Sequence, residues 1–139
     1  MTGGEGGIMR RRIAAICLAL ICSSPLASET VLAWQYYKGV VYITGGIGEE
    51  ELEEINAARS GFNVRVLLAE KSGGYVTGVR VVVSEVGGAK VLEVESAGPY
   101  LLTRLPEGNY RIAATYADQA RQQDFSVQPG RAHEVVFRW

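Results

Sequence analysis

The sequence has little from which to build chemistry. Its 139 residues include two cysteines and one histidine. Both cysteines, Cys17 and Cys22, stand in one apolar stretch near the N-terminus, so the rest of the chain has no disulfide framework. His133 is the lone histidine, and a zinc site or a histidine-activated nucleophile needs partners that are absent. An excess of one charge is missing too. The 14 basic and 15 acidic side chains leave a net charge of −1, which argues against nucleic acid as a bulk partner. No apolar run is long enough to span a bilayer as a helix, since the stretch from Ile13 to Cys22 is too short. What is present is a 47% apolar composition, enough for the core of one ordinary domain.

The N-terminal end reads as a targeting segment. Arg10, Arg11 and Arg12 precede an uncharged run from Ile13 to Ile21, and small residues follow through Ala27 and Ser28. A basic start, a short apolar middle and a small-residue exit make a secretory signal peptide. Met1 to Ile8 are glycine-rich and unlike such a start, so Met9 is read as the true one. Cleavage after Ser28 or after Ala33 fits, and residues 1–33 are assigned to export. Neither cysteine has the small-residue context of a lipid-modified one. Three of the 14 basic groups and two of the 15 acidic ones lie in that segment, leaving 11 and 13 and a net charge of −2. A remainder of this size buries roughly 65% of its unfolded surface, sufficient without covalent staples.

Residues 34–61 open with Trp34, Tyr36 and Tyr37, then a β-prone run from Val40 to Thr44. After Gly45 and Gly46, Leu52, Ile55 and Ala58 recur at helical spacing. The surrounding glutamates favour the positive end of the helix dipole, and Ser60-Gly61 provides a stop. From residue 62 to 139 the period becomes two. Seven short runs alternate, with turn signals about every ten residues. They centre on Val64–Leu68, Val79–Val83, Leu92–Val94, Tyr100–Leu102, Tyr110–Tyr116, Gln123–Val127 and Val135–Trp139. The spacing predicts a mainly β fold: a seven-stranded antiparallel sandwich preceded by one short acidic helix.

Competing chemistries fail on their own residues. Thr44 to Gly48 has the look of a phosphate-cradling turn, but Glu49, Glu50 and Glu51 occupy the position of the phosphate charge. The same glutamates fan around a helix and do not converge as calcium ligands do. Glu93 and Glu95 share one strand face, ordinary for a solvated sheet. The final strand resembles the closing strand of an outer-membrane barrel, but too few residues follow the helix for eight long strands. Tyr110, Phe125 and Phe137 lie on apolar faces and are expected in the core. Tyr75, Tyr100 and Trp34 are the candidate ligand- or partner-binding residues, since exposed aromatics stack on sugars or anchor partners.

The run Thr77–Val83, the Gly87-Gly88 turn and the element Leu105-Pro106-Glu107-Gly108-Asn109-Tyr110 resemble the carboxypeptidase regulatory-like domain. That resemblance implies a transthyretin-like (prealbumin-like) seven-stranded, Ig-like sandwich over about Phe62 to Trp139. The turn also makes physical sense alone. Pro106 fixes φ, Gly108 permits a left-handed turn, and Tyr110 returns to the core with a hydroxyl able to tie the turn. Two departures stand out: Ser96–Tyr100 replaces the usual step before that turn, and residues 45–59 lie outside the family's core. No catalytic residue carries over from the resemblance.

These readings predict an exported, non-enzymatic module in the periplasm or secreted, with no cofactor or metal and no membrane-spanning segment after cleavage. Its expected partner is an envelope protein, with carbohydrate binding through exposed aromatics as the alternative.

Overall fold

The computed structural model describes residues 32–139. Residues 1–31, and with them nearly all of the segment assigned to export, lie outside the described residues. The chain forms β1 (Gln35–Tyr37), β2 (Val40–Gly45), α1 (Gly48–Ala58), a 3-10 turn (Arg59–Gly61), β3 (Val64–Ala69), β4 (Val79–Glu85), β5 (Lys90–Ala97), β6 (Tyr100–Thr103), β7 (Gly108–Tyr116), β8 (Gln119–Val127) and β9 (His133–Arg138). One sheet runs β1-β2-β6-β3-β9 and the other β5-β4-β7-β8.

The two sheets enclose the main core. Val64, Val66 and Leu68 of β3 meet Val79, Val81 and Val83 of β4, with Ile112, Val135 and Phe137. The two-residue period places these on inward faces, while Arg80, Arg111 and Asp124 face water. A second, smaller core lies on the outer face of the five-stranded sheet. There Ile55 of α1 is fully buried against Ile43, Leu102, Phe62 and Leu32. The molecule is thus helix on sheet on sheet.

The sandwich has nine strands where the sequence predicts seven. The seven predicted runs correspond to β3 through β9. β2 joins the same sheet by pairing with β6, and β1, which precedes it, pairs with it across a tight turn at Lys38-Gly39. Both turn residues have positive φ, at 46° and 85°. The same two-residue geometry joins β7 to β8, at Ala117 and Asp118 (φ 47° and 63°). Such turns match the twist of paired strands.

The expectation of a wholly antiparallel fold is also corrected. β3 and β9 pair in parallel, from Val64 opposite His133 to Ala69 opposite Arg138. The chain leaves the four-stranded sheet at β8, crosses at Pro129-Gly130, and so reaches β3 running in the same direction. β2 and β3 likewise run alike, because both are antiparallel to β6 between them. α1 bridges these two strands. Its N-cap position, Ile47, makes no side-chain capping bond.

Two threonine hydroxyls lock the β6 insertion. Thr103 is fully buried, and its hydroxyl donates to the Val41 carbonyl at 2.9 Å. The Thr44 hydroxyl donates to the Tyr100 carbonyl and accepts from the Gly98 N–H, each at 2.8 Å. Among the described residues no helix is long and apolar enough to cross a membrane.

Candidate functional site

Two of the three aromatic candidates come together. β6 begins at Tyr100, whose ring lies on the outer face of the five-stranded sheet. Tyr75 arrives from the long loop after β3 and makes an isolated bridge to Ala69. The rings are 5.8 Å apart and tilted by 47°. The Tyr100 hydroxyl donates to the Tyr75 hydroxyl at 3.4 Å, a long bond. That bond, then burial, raises the Tyr100 phenol above its ordinary pKa. Tyr75 is 58% exposed, so one ring is held against the sheet and the other faces solvent.

Register extends this aromatic pair into an apolar row. Tyr100 stands opposite Leu67 of β3, and Leu67 opposite Val136 of β9. All three are partly exposed. The preceding row, Ile43–Leu102–Arg65–Glu134, is covered at its Ile43–Leu102 end by α1. The Tyr100 row therefore runs across the sheet beside the helix.

Trp34 belongs elsewhere. It is 53% exposed and packs on Phe62, with ring centroids 5.2 Å apart. The Arg104 guanidinium lies 5.9 Å from the same Phe62 ring and donates through Nε and Nη2 to the Gly61 carbonyl.

The turn residues are placed by a short polar network. The Tyr110 hydroxyl donates to the Pro106 carbonyl at 2.6 Å. Tyr110 is almost wholly buried and stacks on Phe125. Gly108 is not the left-handed turn residue expected: its φ of 158° is close to extended backbone, because it already opens strand β7. Asn63 clamps the same turn, donating to the Leu105 carbonyl at 2.8 Å and accepting from the Leu105 N–H at 2.9 Å. His133 is half-buried and stacks on Phe125, 5.2 Å between rings.

The structure also gathers arginines that sequence reading left dispersed. Arg59 pairs with Glu134 at 3.5 Å. Arg65 Nη2 donates to the Arg59 carbonyl at 3.4 Å. Arg65 and Arg131 both line a cleft of about 390 Å³, with Ser60, Asn63, Glu107 and the turn after β8. Arg104 holds the Gly61 end of the same 3-10 turn. No sequence signal announces this group, since its members span residues 59 to 131 and meet only through β3–β9 pairing and the β8–β9 crossing. On the other sheet, Glu93 accepts from Lys90 at 2.7 Å and from Arg80 at 2.5 Å, a surface ion-pair hub around a half-buried carboxylate. Among the described residues no group of three or more His, Cys, Asp or Glu side chains is arranged to hold a metal.

No curated protein and no solved structure matches the chain. One family model does, over residues 64–137, from the first residue of β3 to within one residue of the end of β9. Its span coincides with the seven strands read from the sequence and leaves β1, β2 and α1 outside. The model is not that of the carboxypeptidase regulatory-like domain suggested by the Leu105–Tyr110 turn. The chain belongs to the family of the Rhizobiales growth-associated tandem repeat domain.

Proposed function

We propose that the protein is an exported, non-enzymatic β-sandwich module of the bacterial envelope, periplasmic or secreted, that docks a partner protein. The observation that carries this reading is the Tyr75–Tyr100 pair, one ring exposed and one anchored, continued by Leu67 and Val136 across the sheet. Amphipathic aromatics on a rigid sheet contribute contact area at little cost in conformational entropy. The family description, a growth-associated tandem repeat domain, suits a structural or interaction module. Kinship with the carboxypeptidase regulatory-like sandwich is part of the same proposal and rests on the Pro106–Tyr110 turn.

The test is photo-crosslinking in the envelope from position 75, with Tyr100→Ala as the comparison. One captured protein, lost in Tyr100→Ala, supports the reading. Capture of a polysaccharide instead, lost in the same variant, replaces the protein partner with a glycan. A hydrolytic activity that survives purification and dies with one point mutation overturns the non-enzymatic assignment.

A further inference from the structure

We infer that the cleft between the 3-10 turn and the β8–β9 turn binds a saccharide bearing an oxyanion, a carboxylate or a phosphate, through Arg65 and Arg131. Arg65 is the reason. Its Nε is buried and has no hydrogen-bond partner, alone in this among the described buried side-chain polar atoms. Its Nη2 holds only the 3.4 Å bond to the Arg59 carbonyl. Among the described residues no carboxylate forms an ion pair with it. Its cross-strand neighbour Glu134 pairs with Arg59 instead. A buried Nε–H with no partner is costly, and such an orphan group calls for one. The Nε–Nη2 edge is the one a carboxylate or phosphate engages in bidentate fashion.

The surroundings supply the rest. Arg65 lines the cleft directly, and exposed Arg131 lines it from the β8–β9 turn. Nε is closed to solvent in this conformation, so engaging a ligand through this edge requires the Arg65 side chain to turn toward the cleft that it lines. Asn63 is held in place by its two bonds to Leu105 and so forms a fixed part of the wall. Glu107 lines the same cleft and repels a bare anion. A hydroxyl-rich body solves this, because hydroxyls donate to Glu107 while the acidic group meets the two arginines. The site is separate from Tyr75 and Tyr100, and its failure would leave the docking proposal standing.

The experiment is an NMR titration of the purified protein at constant ionic strength, following the arginine Nε–H signals and the amides of residues 128–132. The probes are glucuronate, glucose 6-phosphate, glucose and inorganic phosphate. Saturable shifts with glucuronate or glucose 6-phosphate are expected, and the tighter of the two identifies the carboxylate or the phosphate source. Arg131→Gln should weaken that binding on the order of tenfold without disturbing the fold, since it removes one exposed charge-assisted contact. Arg65→Gln should abolish it. Glu107→Gln should tighten inorganic phosphate and weaken the sugar acids. Three results overturn the inference: no saturable shift with either acidic sugar, an equal response in Arg131→Gln, or glucose and inorganic phosphate binding as tightly as the acidic sugars. A shift of the Arg65 Nε–H in Glu134→Gln with no response to the acidic sugars overturns it too, by assigning Arg65 an internal partner.

Discussion

The Tyr110 hydroxyl donates to the Pro106 carbonyl four residues upstream, across 2.6 Å, while its ring stacks on Phe125 in the core. One side chain thereby joins the β6–β7 turn to the sandwich interior. Tyr110→Phe keeps the ring and loses only the bond. It is expected to lower stability by about 1 kcal/mol, the net worth of one such hydrogen bond. Urea unfolding should show a lower midpoint with an unchanged slope.

Among the glycines of the described residues, Gly98 is the one pressed closest against another segment's main chain. A Cβ there would stand 2.9 Å from Gly45 Cα and 3.2 Å from its N and O, all main-chain atoms. Nothing flexible can yield, so β2 must shift from the segment that leads into β6, weakening the Gly98 N–H bond to Thr44. Gly98→Ala is expected to cost about 1–3 kcal/mol. Gly61→Ala is the contrast, since the nearest atom is 3.7 Å away in a side chain. Thermal unfolding of the two variants should separate them clearly.

Glu93 links pH to stability. Its bonds from Lys90 and then Arg80 hold its carboxyl down from 4.5 to about 2. A depressed carboxylate stabilises the fold above its unfolded pKa, and the contribution disappears as pH falls through the folded value. Wild type should therefore exceed Glu93→Gln in Tm at neutral pH. The gap should close between pH 4.5 and about 2. High salt should narrow it at neutral pH, because both of its cationic partners, Arg80 and Lys90, are exposed.

Leu32 bears on the proposed export, because it limits where a signal peptide could be removed. It is buried with Ile43, Ile55, Phe62 and Leu102, and its N–H donates to Glu54 Oε2 at 2.9 Å. Cleavage after Ala33 would discard this plug, whereas cleavage after Ser28 keeps it. The mass of the exported chain is expected to place the cut ahead of Leu32. Leu32→Ala should cost about 2–3 kcal/mol, the price of a deleted core leucine, and a chain starting at Trp34 should lose at least as much.

Local patterning carried much of this fold. Alternation at Val64–Leu68 and Val79–Val83 and the helical spacing of Leu52, Ile55 and Ala58 depend on neighbours within a few residues, so those elements were legible. Tyr110, Phe125 and Phe137 were legible as core for the same reason. β1 was too short to carry a period, and the place of β2 in a sheet depended on a strand some 60 residues away.

Side-chain period and turn chemistry are local properties, and they were enough to specify a β-sandwich of short alternating strands with one acidic helix. The insertion of β6 between β2 and β3, the parallel run of β9 beside β3 and the meeting of Tyr75 with Tyr100 arise from long-range packing. It alone brought Arg65 and Arg131 to one cleft. These are pairings between distant segments, and they follow from which edges and faces remain to be covered once the local elements have formed.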